Sequence, residues 1–247
     1  MTEKSFVDRP EDGDSRFVLD NLGRIEERIA AACAAAGRKR EDVTLLAVTK
    51  TVPPARINAA IGAGVTHIGE NRVQEFLGKR DALRLDGVDV HLIGHLQTNK
   101  VKYLVGVVDL IESVDRLELL ECIEKQAEKM GVVQNILFEV NIGAEESKSG
   151  FTKEEAAALA ARMREFPHVA LKGLMAIPPV SEFPGENCRY FAEMRNLFVD
   201  IKAKKYDNVS MECLSMGMSD DFTDAIAEGS TMVRIGTAIF GKRNYNT

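Results

Sequence analysis

The sequence predicts a single α/β barrel of eight parallel strands, and three observations carry that expectation. Short apolar runs alternate with helix-period segments eight times along the chain. The segments between runs are right for parallel crossovers. The length, 247 residues, is typical of one such barrel, and no linker or second domain interrupts it.

The elements follow in order. Residues 1–14 are polar and acidic, have no signal-peptide core, and read as a disordered tail, so the domain is expected over 15–247. Asp14 or Ser15 caps an extra N-terminal helix that carries Val18, Leu22, Ile25, Ile29 and Ala32 and ends at Gly37. Strand one is 43–49. Prolines open a helix over 53–61, and Gly62 and Gly64 close it. Strand two is 67–69, followed by a helix with Val73, Phe76 and Leu77. Strand three is 90–94 and precedes a short helix over 99–104. Strand four is 110–114, and Asp115 caps a helix bearing Leu119, Leu120, Ile123 and Ala127. Strand five is 136–140; Thr152 and Glu155 then form a capping box. Strand six falls within 169–177, and Tyr190 to Ile201 gives the clearest amphipathic helix. Strand seven is 209–214, Ser219 starts the next helix, strand eight is 232–235, and 238–240 begins a closing turn.

Composition narrows the function. A net charge of −6 argues against a general nucleic-acid binder. No apolar run is long enough for a membrane span. Cys33, Cys122, Cys188 and Cys213 form no CxxC pair and read as free thiols in a reducing compartment, so a cytoplasmic protein is expected. His67, His91 and His95 are too scattered to suggest a metal site.

In such barrels the active face is built at the C-terminal ends of the strands. Strand one there delivers Lys50 from the run Leu45-Leu46-Ala47-Val48-Thr49. A lysine at this place either snorkels into water or keeps its amine in a pocket, where desolvation makes it a nucleophile. The loops after strands seven and eight commonly bind phosphate. Here they carry Ser215, Gly217, Ser219, Gly236 and Thr237, hydroxyls and exposed amides suited to a phosphate dianion. Asp220 and Asp221 must then point away from it. Arg234, between Val233 and Ile235, needs a buried partner: a carboxylate such as Glu212, or a ligand heteroatom. A nucleophilic lysine and a phosphate cradle on one face suit an aldehyde phosphate, and pyridoxal 5'-phosphate (PLP) fits.

With these residues in view the chain resembles the pyridoxal phosphate homeostasis protein family, single-domain relatives of the alanine racemase barrel (PLP fold type III). The matching segments are Ala47-Val48-Thr49-Lys50, Gly69-Glu70-Asn71 with Gln74-Glu75, and Ile93 to Lys100. They continue with Val140-Asn141, Lys148-Ser149-Gly150, Gly173-Leu174-Met175, Leu214-Ser215-Met216-Gly217-Met218-Ser219-Asp220 and Val233 to Gly241. The resemblance implies that Lys50 is the Schiff-base lysine and that Ser215, Ser219, Gly236 and Thr237 hold the phosphate. It implies Asn71 near the ring, Arg234 beside the pyridine nitrogen, and Met175, Met216 and Gly217 among the cofactor-binding residues. The family is regarded as a PLP carrier or buffer without established catalysis, and the resemblance implies a role in PLP (vitamin B6) and amino-acid homeostasis.

Two other readings stand beside that one. A PLP-dependent racemase is the first. Alanine racemases take a second acid/base, a tyrosine, from another subunit held by an added β-domain; this chain has no such domain, and Tyr245 lies in its tail. A Schiff-base aldolase acting on a sugar phosphate is the second. A monomer is expected, with PLP-dependent apoenzymes as candidate recipients. Lys100, Lys102 and Lys148 near the mouth read as solvated charges rather than a second PLP site.

Overall fold

The computed structural model describes residues 12–145, 148–180, 183 and 185–241. The expected tail before Asp12, and Tyr245, lie outside them. Eight parallel strands close into a barrel in chain order: β1 (Thr44–Val48), β2 (His67–Glu70), β3 (Asp89–Leu92), β4 (Leu110–Val114), β5 (Gln134–Val140), β6 (Val169–Ala176), β7 (Val209–Ser215) and β8 (Met232–Ile235). Ala47 sits opposite Ile68 on one side and Ile235 on the other, and this closes the ring.

The wall is read by period two. Outward positions such as Leu45, Ala47, Ile68, Val90, Ile111, Phe138, Leu214 and Val233 pack under the helices in the main core. The inner face carries a smaller apolar cluster, Leu110, Leu137 and Met175 with Cys213 against it. The β5–β6 and β6–β7 registers both shift next to Gly173. A Cβ on Gly173 would stand 1.7 Å from the Cys213 carbonyl oxygen, so the close approach of β6 to β7 there admits only glycine.

Helices alternate with the strands: α2 (Pro54–Gly62), α3 (Val73–Lys79), α4 (Leu117–Met130), α5 (Lys153–Ala160), α6 (Cys188–Lys204), α7 (Phe222–Ala227) and α8 (Thr237–Phe240). A 3-10 segment, Thr98–Tyr103, replaces the helix between β3 and β4. The extra N-terminal helix α1 (Asp12–Ala35) reaches back beyond the expected start. It packs on α2, α7 and α8, and Asn21 Nδ2 donates to Ile239 O at 3.0 Å. Thr152 and Glu155 form the predicted capping box on α5.

Two caps differ from expectation. Asp115 does not cap α4, because its carboxylate is taken by His95 Nδ1 at 3.0 Å and Arg116 NH1 at 2.5 Å. Ser219 does not start α7. Residues 219–221 form a turn and the helix begins at Phe222, after Asp221 has folded back to accept from the Met218 amide at 2.7 Å and Asn187 Nδ2 at 3.0 Å. No helix among the described residues is long and apolar enough to cross a membrane.

Candidate functional site

Lys50 follows β1 at the C-terminal mouth, and its neighbours on both sides are clamped. Thr49 is fully buried; its hydroxyl donates to Glu70, and its carbonyl accepts from Lys79 Nζ at 2.8 Å. The Thr51 amide donates to Glu75. Thr51 itself has φ +62°, a left-handed conformation that a β-branched residue adopts only where its surroundings hold it. Lys79 ties the clamp together, reaching Glu70 at 2.8 Å and Glu75 at 3.0 Å. Burial pushes the Glu70 carboxyl up, against the hydrogen bonds from Lys79 and Thr49 that hold it down. The backbone that carries Lys50 is thus fixed before any ligand arrives.

Lys50 lines a cavity of about 210 Å³ together with Val48, Arg56, Gly236, Thr237 and Phe240. The structure therefore joins the strand-one lysine to the loop after β8. Gly236 lies against Val48: a Cβ there would meet Val48 Cβ at 3.2 Å. Ser219 is half-buried in its turn and Asp220 is exposed, while Gly217 adopts φ +92° against Phe222. Met216 is wholly buried, and its amide donates to Met232 O at 3.1 Å; Met175 belongs to the inner apolar cluster.

Ser215 and Arg234 have inner-face partners that differ from the expected ones. Arg234 NH1 donates to Ser215 O at 2.8 Å and Ser215 Oγ at 2.7 Å, and NH2 donates to Ala176 O at 2.9 Å. The Ser215 hydroxyl donates to Glu112 Oε2 at 2.6 Å, and Glu112 Oε1 meets His91 Nδ1 at 2.7 Å. The Ser215 hydroxyl is therefore committed inside the barrel rather than offered to a phosphate. Arg234 reaches the carboxylate of Glu112 through the Ser215 hydroxyl and by charge, while Glu212 lies 3.8 Å from Lys172. Burial alone would raise the Glu112 carboxyl, but the His91 hydrogen bond, the His91 and Arg234 charges and the Ser215 hydroxyl hold it below its ordinary value.

A second cavity of about 270 Å³ opens at the same mouth, lined by residues that include Asn71, His95, Glu139, Asn141 and Lys148. Asn71 Oδ1 is buried without a hydrogen-bond partner there, a polar atom that a ligand donor could satisfy. Burial, with the nearby charges of Asp115 and Glu112, pushes Glu139 up to about 7 despite the Arg234 charge. Lys148 pairs with Glu145 and donates to Pro178 O at 3.2 Å; Lys100 and Lys102 stand over the Tyr103 ring.

Sequence reasoning missed Lys79, Glu112 as the carboxylate linked to Arg234 through Ser215, and Glu139 as a titrating group. The inward parity of positions 112, 139 and 234 could have flagged the last two, whereas Lys79 looks like any surface residue at the end of a helix.

Residues 21–244 match the family model for the alanine racemase N-terminal domain. A pyridoxal phosphate homeostasis protein of Aquifex aeolicus is 48% identical over 226 residues, 92% of this chain and 98% of that protein. The solved structure of PipY of Synechococcus elongatus with PLP bound superposes with a TM-score of 0.77 at 30% identity, covering 91% of this chain and 100% of that one. An alanine racemase of Clostridium difficile shares the fold, with a TM-score of 0.72 at 15% identity; the match covers 95% of this chain and 58% of that one.

Proposed function

The chain belongs to the pyridoxal phosphate homeostasis protein family, and on that premise we propose that it holds PLP at the C-terminal mouth as a carrier rather than a catalyst. The observation that carries this reading is the shared cavity of Lys50, Gly236 and Thr237. When bound, the cofactor supplies an aldehyde that condenses with a primary amine and loses water, and a phosphate dianion. Lys50 is the amine. The backbone that presents it is held on both sides by Thr49 and Thr51. Gly236, Thr237 and Ser219 hold the phosphate, with Gly217 shaping the turn that presents Ser219. The orphaned Asn71 Oδ1 accepts from the ligand's polar rim.

Arg234 faces the ring nitrogen with a permanent positive charge. An arginine cannot accept a proton and disfavours one on a neighbouring base, so it keeps the ring a weak electron sink. That property suits storage of the aldehyde better than chemistry at an amino acid's α-carbon. Met175 and Met216 back the site from the core. The reading includes a single domain over 15–247, a cytoplasmic monomer, and delivery to PLP-dependent apoenzymes.

The test is the absorbance of the protein with added PLP, before and after borohydride. A long-wavelength band lost on reduction, with a pyridoxyl mass on Lys50, is expected, and both should vanish in Lys50→Ala. An unchanged band and adduct in that variant would overturn the assignment. Exchange of an amino acid's α-hydrogen with deuterated water at a useful turnover rate would favour the racemase over the carrier.

A further inference from the structure

The opposite mouth of the barrel carries a second constellation of donors. His67 opens β2, and Asp89 and His91 lie on β3, with His67 paired in register to Asp89. Residues 89 and 91 share a face of their strand, and the rings of His67 and His91 meet edge to face at 5.5 Å. One ligand atom from each of His67, Asp89 and His91 falls within a 4.8 Å cluster. His67 Nε2 stands 3.4 Å from Asp89 Oδ2. Ligands of a tetrahedral zinc, at about 2.0–2.2 Å from the ion, stand roughly 3.3–3.5 Å apart.

Each imidazole is held from behind. His91 Nδ1 meets the buried Glu112 carboxylate at 2.7 Å, and His67 Nδ1 meets Thr66 Oγ1 at 2.9 Å. This leaves the Nε2 edges for an ion. A carboxylate or hydroxyl on the far nitrogen is the outer-shell arrangement that fixes tautomer and orientation in metal-ligating histidines. Access follows a gradient: the His91 side chain is 4% exposed, His67 25% and Asp89 57%. Two ligands are thus preset and one can swing in from solvent. Asp109, whose Oδ2 accepts from the Val90 amide at 2.8 Å, adds negative charge beside the group.

We propose that His67, Asp89 and His91 form a divalent transition-metal site of zinc type at the N-terminal mouth, with water completing the coordination. Two imidazoles and a carboxylate suit zinc over calcium or magnesium. The site bridges β2 to β3, and this end of a barrel serves stability rather than the active face. It does not rest on the cofactor reading.

The test is calorimetric titration of the untagged, metal-stripped full-length chain with Zn²⁺, and visible absorption with Co²⁺. One saturable equivalent is expected. His67→Ala and Asp89→Asn should each weaken Zn²⁺ binding at least about tenfold, since losing an outer-shell partner alone costs about 10–100-fold. His168→Ala, whose ring pairs with Glu124, should leave the affinity unchanged. Far-UV spectra of the variants establish that they are folded. Absence of a saturable equivalent in the parent chain, equal affinity in both ligand variants, or a thiolate-to-cobalt band that places the metal on cysteine would each overturn the site.

Discussion

Replacing Glu139 by glutamine should make the protein more stable above neutral pH. Its carboxyl titrates at about 7, against an ordinary 4.5, because burial disfavours its charge and Asp115 and Glu112 add to the effect. A carboxyl whose folded pKa is raised contributes stability that is fully present below about 4.5 and is lost as the pH rises through about 7. At about 1.4 kcal/mol per tenfold, the difference amounts to about 3 kcal/mol between the two limits. Glutamine occupies nearly the same space without a charge, so Glu139→Gln should lack that part of the pH dependence. The assay is urea denaturation of both proteins at pH 5 and pH 8. Some of this is already lost at pH 5, so the parent should lose about 2.5 kcal/mol more than the variant over that interval. A difference below about 1 kcal/mol would refute the claim that Glu139 is forced to ionise inside the barrel mouth.

Other perturbations give equally direct readouts. Lys79→Met leaves the buried Glu70 without its cation and should cost about 3–5 kcal/mol in denaturant unfolding, while adding Glu70→Gln should restore most of it. Equal stability of the single and double variants would show that Lys79 does not neutralise Glu70. Gly173→Ala drives a methyl into the Cys213 carbonyl and should cost more than about 4 kcal/mol, seen as loss of soluble folded protein. A near-normal melting temperature there would mean that β6 and β7 can separate without loss.

The barrel was legible because each wall strand carries its own apolar run, and the place of Lys50 at the C-terminal mouth was legible because it ends one. Gly236 and Thr237 followed from the strand count, since the loop after β8 adjoins β1 once the ring closes. What stayed hidden depends on contacts across the barrel. Ser215 looked like a phosphate ligand because its loop does; only the ring of strands shows Glu112 reaching it from β4. His67 and His91 looked scattered because they are separated in the chain, yet adjacent parallel strands place them edge to edge. Ser219 resembled a helix cap, but Asp221 captured the Met218 amide and delayed α7 to Phe222.

The inner row His91, Glu112, Ser215 and Arg234 has a consequence for how this barrel can change over time. Its members stand on β3, β4, β7 and β8, and each satisfies the next. Loss of one leaves a buried charge or donor stranded, whereas exchange of the whole row for well-packed apolar residues can be neutral. Single steps through this row therefore descend before they climb. Four distant stretches of chain drift as one unit, whereas the outward faces of the same strands, packed in the main core, tolerate single exchanges between apolar residues of similar volume.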